Sequence, residues 1–103
     1  MLKSSKEFGH FYNRSQKKHL RNAILFYKEG SGKRVGFTAS KKVGNAVARN
    51  FAKRRLRAAF LKIEARLKEG TYILVAKKEI VDADFKTIER DLLYGAGKLK
   101  ALQ

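Results

Sequence analysis

The stretch VGFTASKKVGNAVARNFAKRRLRAAF, residues 35–60, is predicted to pass from a strand through a short basic loop into a long helix. Residues 34–40, RVGFTAS, carry the strand. From about residue 45 to residue 68 no Gly or Pro interrupts the chain, and good helix formers dominate. At about 100° per residue, Ala52, Leu56, Ala59, Phe60, Ile63 and Leu67 share roughly 100° of arc, the width of a core-facing stripe. Asn50, Lys53, Arg54 and Arg57 recur at i, i+3, i+4 and i+7 and form a second stripe. Arg49 falls by angle inside the apolar arc, in the first turn. Phe51 falls off both stripes, near Val47 and Arg55, either against the sheet edge or facing a partner.

The second stripe sets cations at spacings where they repel one another. A solvated helix face would gain from interleaved Glu, yet none occurs between Glu29 and Glu64. Phosphates laid along the stripe relieve the repulsion. The preceding loop, Ser40, Lys41, Lys42, Val43 and Gly44, delivers two lysines and free backbone N–H groups to the helix N-terminus, where an anion is favoured. It lacks the spacing of a nucleotide-binding loop, and on these residues alone a plain connector fits equally.

Working outward, Ser4 and Glu7 have capping-box spacing and open a short helix through about Arg14. Its residues Phe8, Phe11 and Tyr12 share one face, which serves as core or as a stacking platform for unpaired bases. Residues 23–28, AILFYK, read as a strand whose Phe26 and Tyr27 point to opposite sides. Gly30, Ser31 and Gly32 supply turn chemistry, which makes residues 34–40 the hairpin partner. After the long helix, Gly70 suits a helix C′ position, and residues 71–77, TYILVAK, form a buried strand. Asp82 or Asp84 caps a last helix with Phe85, Ile88, Leu92 and Leu99 on its apolar face, and Gly95 and Gly97 weaken its second half. The order α-β-β-α-β-α, with room for one further strand, gives an α+β sandwich of helices on a small sheet, one domain over residues 1–103.

The chain has 103 residues and a net charge of +16. Residues 1–63 hold 17 basic and 2 acidic residues, whereas residues 64–103 hold 8 and 7. So lopsided a field points to a polyanion, RNA or DNA, rather than to solubility. Zero Cys excludes a disulfide scaffold, a thiolate zinc site and a Cys nucleophile. No apolar run approaches the roughly 20 residues of a membrane span, and the first residues lack the apolar core of a signal peptide, so a soluble, cytoplasmic domain is expected. His10 and His19 have nothing in the sequence to join them into a nuclease site. Glu79, Asp82, Asp84, Glu89 and Asp91 offer carboxylates to a metal, but Asp82 and Asp84 are more simply helix caps.

The block Ser40, Lys41, Lys42, Gly44, Asn45, Ala46, Val47, Arg49, Asn50, followed by Lys53, Arg54 and Arg57, strongly resembles the protein component of bacterial ribonuclease P, whose hallmark is S-K-K-x-G-N-A-V-x-R-N and then K-R-x-x-R. Looser similarity runs through KEFGHFY, AILFY and TYILVAKK. The resemblance implies a ribosomal-protein-like α+β fold with a left-handed β-α-β crossover, where the general rule gives a right-handed one. It implies a protein that assists a catalytic RNA in removing the 5′ leader of precursor tRNA, with no catalytic residue of its own. Ser40, Lys41, Lys42, Asn45, Arg49, Asn50, Lys53, Arg54 and Arg57 would contact ribonuclease P RNA. Phe8, Tyr12 and Phe26 would line the groove for the leader of precursor tRNA. Mg2+ would be held mainly by the RNA, and neither a membrane nor a small-molecule substrate is implied. The family usually carries a third basic residue directly after Arg-Asn, where this chain has Phe51, and Arg55 adds a charge one turn later. A structural or ribosomal-type RNA-binding protein without a role in cleavage is the alternative.

Overall fold

The computed structural model describes residues 15–103. The predicted first helix, with Phe8, Phe11 and Tyr12, lies outside the described residues. Within them the order is β1 (Gln16–His19), β2 (Ala23–Glu29), β3 (Lys33–Ala39), α1 (Ala46–Ile63), β4 (Gly70–Ala76) and α2 (Phe85–Lys98). This is the expected α+β class, with both helices packed on one four-stranded sheet.

The expected hairpin between the second and third strands does not form. The sheet order is β1-β2-β4-β3, with β4 antiparallel to β2 and parallel to β3. Burial explains the insertion. In β4, Tyr72, Ile73, Leu74 and Ala76 are all fully buried, so the strand is apolar on both faces and belongs in the middle. The turn through Gly30 and Gly32 therefore spans the end of β4 instead of closing a hairpin. There the Gly70 amide donates to the Gly32 carbonyl at 2.8 Å, and the Gly32 amide donates to Glu69 Oε2 at 2.9 Å. The parallel pair β3–β4, joined through α1, is the β-α-β crossover of the fold.

The further strand is β1, QKKH, which has no apolar signal of its own. Its pairing with β2 places Lys17 opposite Phe26 and Lys18 opposite Leu25. Lysines on such a strand suit the sheet's outer edge, where they discourage pairing with another chain.

Helix α1 ends at Ile63, short of the predicted residue 68, and a 3-10 turn over Glu64–Arg66 follows. Lys33 Nζ donates to the Glu64 carbonyl at 2.8 Å and satisfies one of the oxygens left open by the helix end. Gly70 is consequently not a helix C′ residue but the first residue of β4, at φ 149°. A side chain there would meet the Lys28 carbonyl oxygen at 2.6 Å. Asp84 does occupy the N-cap position of α2, although its side chain makes no capping bond. The glycines do not shorten α2, which runs to Lys98. Gly95 lets the helix close onto β2 and the turn before it: a Cβ would lie 3.0 Å from both δ-carbons of Leu20.

The predicted apolar stripe is buried: Ala52, Leu56, Ala59, Phe60 and Ile63 within α1, and Leu67 just beyond its end. Full burial of a side chain such as Leu56 contributes about 1.5–3 kcal/mol. Aromatic rings run across this interface from strand to strand. Tyr27 meets Tyr72 at 5.0 Å, Tyr72 meets Phe60 at 5.7 Å, and Phe60 meets Phe37 edge-on at 5.8 Å. This row fixes α1 over β3 and thereby positions the helix's other face.

Candidate nucleic-acid interface

The entry to α1 is set by local capping. Ser40 Oγ accepts from the Lys42 amide at 3.2 Å and closes a 3-10 turn over Lys41–Val43. Gly44, at φ 140°, redirects the backbone, and Asn45 Oδ1 caps the helix by accepting from the Ala48 amide at 3.0 Å. Ser40 and Asn45 thus spend side-chain acceptors on holding the turn. Lys41 and Lys42 are left exposed beside the positive end of an 18-residue helix.

Asn50, Lys53, Arg54 and Arg57 do come together. With Phe37 of β3 and Val47 they line a groove of about 550 Å³ that contains no carboxylate. Arg57 lies over the Phe37 ring, 5.9 Å from its centroid. Val47 is 75% exposed at the groove's other end. Phe37 and Val47 were missed by sequence reasoning. The only hint for Phe37 was its place in the strand leading into the basic loop.

Arg49 is not in this groove. It is half-buried, and its Nη2 donates to the Ala39 carbonyl at 3.2 Å, tying the first turn of α1 to the end of β3. Its Nε is buried without a hydrogen-bond partner.

Phe51 lies neither in the core nor at the sheet edge. It is half-buried beside the start of α2, with the Arg55 guanidinium 5.4 Å from its ring centroid. Arg55 also donates through Nη2 to the Ala83 carbonyl. The extra charge one turn after Phe51 is therefore anchored to the backbone before α2 while it lines the surface beside Phe51.

Phe26 is half-buried on the sheet face away from Tyr27, opposite Lys17 of β1 and Ile73 of β4 in register. Its expected companions Phe8 and Tyr12, and His10, lie outside the described residues. His19 is exposed on β1. Asp91 is engaged with Asn22: its Oδ2 accepts from the Asn22 amide at 3.1 Å and from Asn22 Nδ2 at 2.8 Å. Among the described residues no three His, Cys, Asp or Glu side chains converge on a metal-sized site.

The chain has known relatives in sequence and in fold. The Ribonuclease P family model matches residues 1–100. This chain belongs to the ribonuclease P protein family. It is 44% identical over 91 residues to the ribonuclease P protein component of Nitratiruptor sp., covering 88% of this chain and 84% of that one. Against the ribonuclease P protein component of Geobacter sp. it is 42% identical over 96 residues, covering 91% and 83%. The fold matches the Staphylococcus aureus RNase P protein with a TM-score of 0.83 at 24% identity, over 99% of this chain and 96% of that one. A Thermotoga maritima RNase P protein gives 0.79 at 21% identity, over 96% and 94%. As a ribonuclease P protein the chain is part of an endoribonuclease holoenzyme, and its partner is ribonuclease P RNA. No described helix is long and apolar enough to cross a membrane.

Proposed function

We propose that this ribonuclease P protein grips the catalytic RNA through the α1 groove and its entry turn, while the RNA carries out cleavage of precursor tRNA. The observation that carries this reading is the groove itself: Asn50, Lys53, Arg54 and Arg57 line one carboxylate-free surface braced by Phe37. Guanidinium and ammonium groups so placed neutralise phosphates and release their counterions. Lys41 and Lys42 extend the contact along the helix N-terminus, with Ser40 and Asn45 holding the turn. Arg49 contributes by fixing that turn to β3. Phe26, with Phe8 and Tyr12, receives the single-stranded 5′ leader by stacking.

The protein's part is binding and orientation. Mg2+ sits mainly on the RNA, where it supplies charge neutralisation for phosphate chemistry. The complex works in the cytoplasm.

The test is precursor-tRNA cleavage at low magnesium by protein alone, ribonuclease P RNA alone, and both. Stimulation in the mixture alone is the expected result. Cleavage by the protein alone would overturn the division of labour. RNA affinity should also fall by roughly 0.7–0.9 log units per phosphate contact for each tenfold rise in salt. Arg54→Ala should lower both affinity and that slope.

A further inference from the structure

Beside the first turn of α2, Phe51, Arg54, Arg55, Ala58 and Phe85 line a second concave surface, of about 390 Å³. We propose that it is a nucleobase pocket: one unpaired base of the bound RNA stacks on Phe51, and the adjoining phosphate meets Arg54. The proposal rests on the RNA-binding reading of α1 and names a contact that this reading does not contain.

Continuity is the first argument. Arg54 lines both this surface and the basic groove, so a strand held by one reaches the other without leaving the protein. Chemistry is the second. The pocket has aromatic walls, Phe51 and Phe85, a cationic rim, Arg54 and Arg55, and no carboxylate. An apolar side chain of a protein partner would use the walls and leave the cations uncompensated. A nucleotide uses both, because its flat base carries a phosphate within a few bonds. Preorganisation is the third. Arg55 is held by the Ala83 carbonyl and in turn lies against the Phe51 ring, 5.4 Å from its centroid. The ring is thus oriented before any ligand arrives, which lowers the ordering cost of binding. Stacking on the Phe51 ring is open to any base that the RNA leaves unpaired, because every base has a π-face.

The experiment is equilibrium binding of ribonuclease P RNA to wild type, Phe51→Leu, Phe51→Trp, Phe51→Lys and Arg54→Ala at several salt concentrations, with a thermal melt of each protein. Phe51→Leu is expected to weaken binding roughly 5- to 150-fold with an unchanged salt slope, because a stack is lost and no charge is. Phe51→Trp should bind as wild type does, and Phe51→Lys should not. If Phe51→Leu unfolds, the Trp and Lys variants decide between stacking and charge. Wild-type affinity in Phe51→Leu, or tighter and more salt-dependent binding in Phe51→Lys, would overturn the pocket. Should Arg54→Ala leave affinity and slope untouched, the basic-groove reading fails and the pocket with it. A weakened Arg54→Ala beside an unaffected Phe51→Leu sinks the pocket alone.

Discussion

The Arg57 guanidinium of α1 lies 5.9 Å from the centroid of the Phe37 ring of β3, and Phe37 in turn meets the buried Phe60 ring edge-on at 5.8 Å. A groove cation is thereby braced against the aromatic row that holds helix to sheet. An exposed cation–π contact is worth about 0.5–1 kcal/mol. Phe37→Leu should therefore weaken RNA binding about two- to fivefold, with the salt slope unchanged. Arg57→Ala should lower affinity and slope together. Titrations at three salt concentrations separate the two, and wild-type affinity in Phe37→Leu would show that Arg57 needs no bracing.

Gly70 should tolerate no side chain. Its φ of 149° and the Lys28 carbonyl 2.6 Å from a would-be Cβ combine backbone strain with collision. Gly70→Ala is expected to cost at least about 2 kcal/mol. Urea unfolding measures it, and a loss under about 0.5 kcal/mol, the size of an ordinary surface change, would show that the strand entry relaxes freely.

Asp91 satisfies the buried Asn22 through both its main-chain amide and its side-chain amide. Asp91→Ala strands both donors and should destabilise the fold by about 2–4 kcal/mol. Because Asn22 also accepts from the Lys77 amide at 3.0 Å, the loss should first loosen the junction of the β1–β2 turn with the end of β4. Amide hydrogen exchange at Lys77 would register this before global unfolding does.

Tyr72 is fully buried, and its hydroxyl donates to the Lys68 carbonyl at 2.5 Å. Burial first, and the neighbouring Tyr27 second, hold its pKa well above the ordinary 10.0. The folded state thus keeps the phenol neutral while the unfolded chain ionises near pH 10. Its contribution to stability is complete below that pH and is lost as pH rises beyond it. Wild type should exceed Tyr72→Phe by about 1 kcal/mol at pH 8, and the gap should narrow above pH 10. Lysine titration affects both proteins alike, so the difference reports Tyr72. A constant gap up to pH 11 would contradict this account.

Much of this was legible in the residues. The spacing of Ala52, Leu56, Ala59, Phe60 and Ile63 gave the buried face of α1, because helical periodicity is a local property. The stripe Asn50, Lys53, Arg54, Arg57 gave the groove for the same reason. The strand order was not legible: Gly30, Ser31 and Gly32 have hairpin chemistry whether or not the strands they join are neighbours. That choice is made by the two-sided burial of β4, about forty residues away. Nor was β1, since QKKH is a strand only because β2 offers it an edge. The roles of Phe37 and Arg49 depend on β3 lying against α1, a distance that no spacing along the chain encodes.

The position of β4 also bears on how the protein is made. β2 and β3 are both synthesised before the strand that separates and joins them, and α1 is complete before the sheet it leans on exists. Pairings this far apart in sequence close slowly. On the ribosome, a nascent chain stopped near residue 69 therefore carries nearly all of the net positive charge but lacks the platform that spaces it. The net charge is nearly complete early in synthesis, and the sheet that spaces it is complete only after Ala76 has emerged.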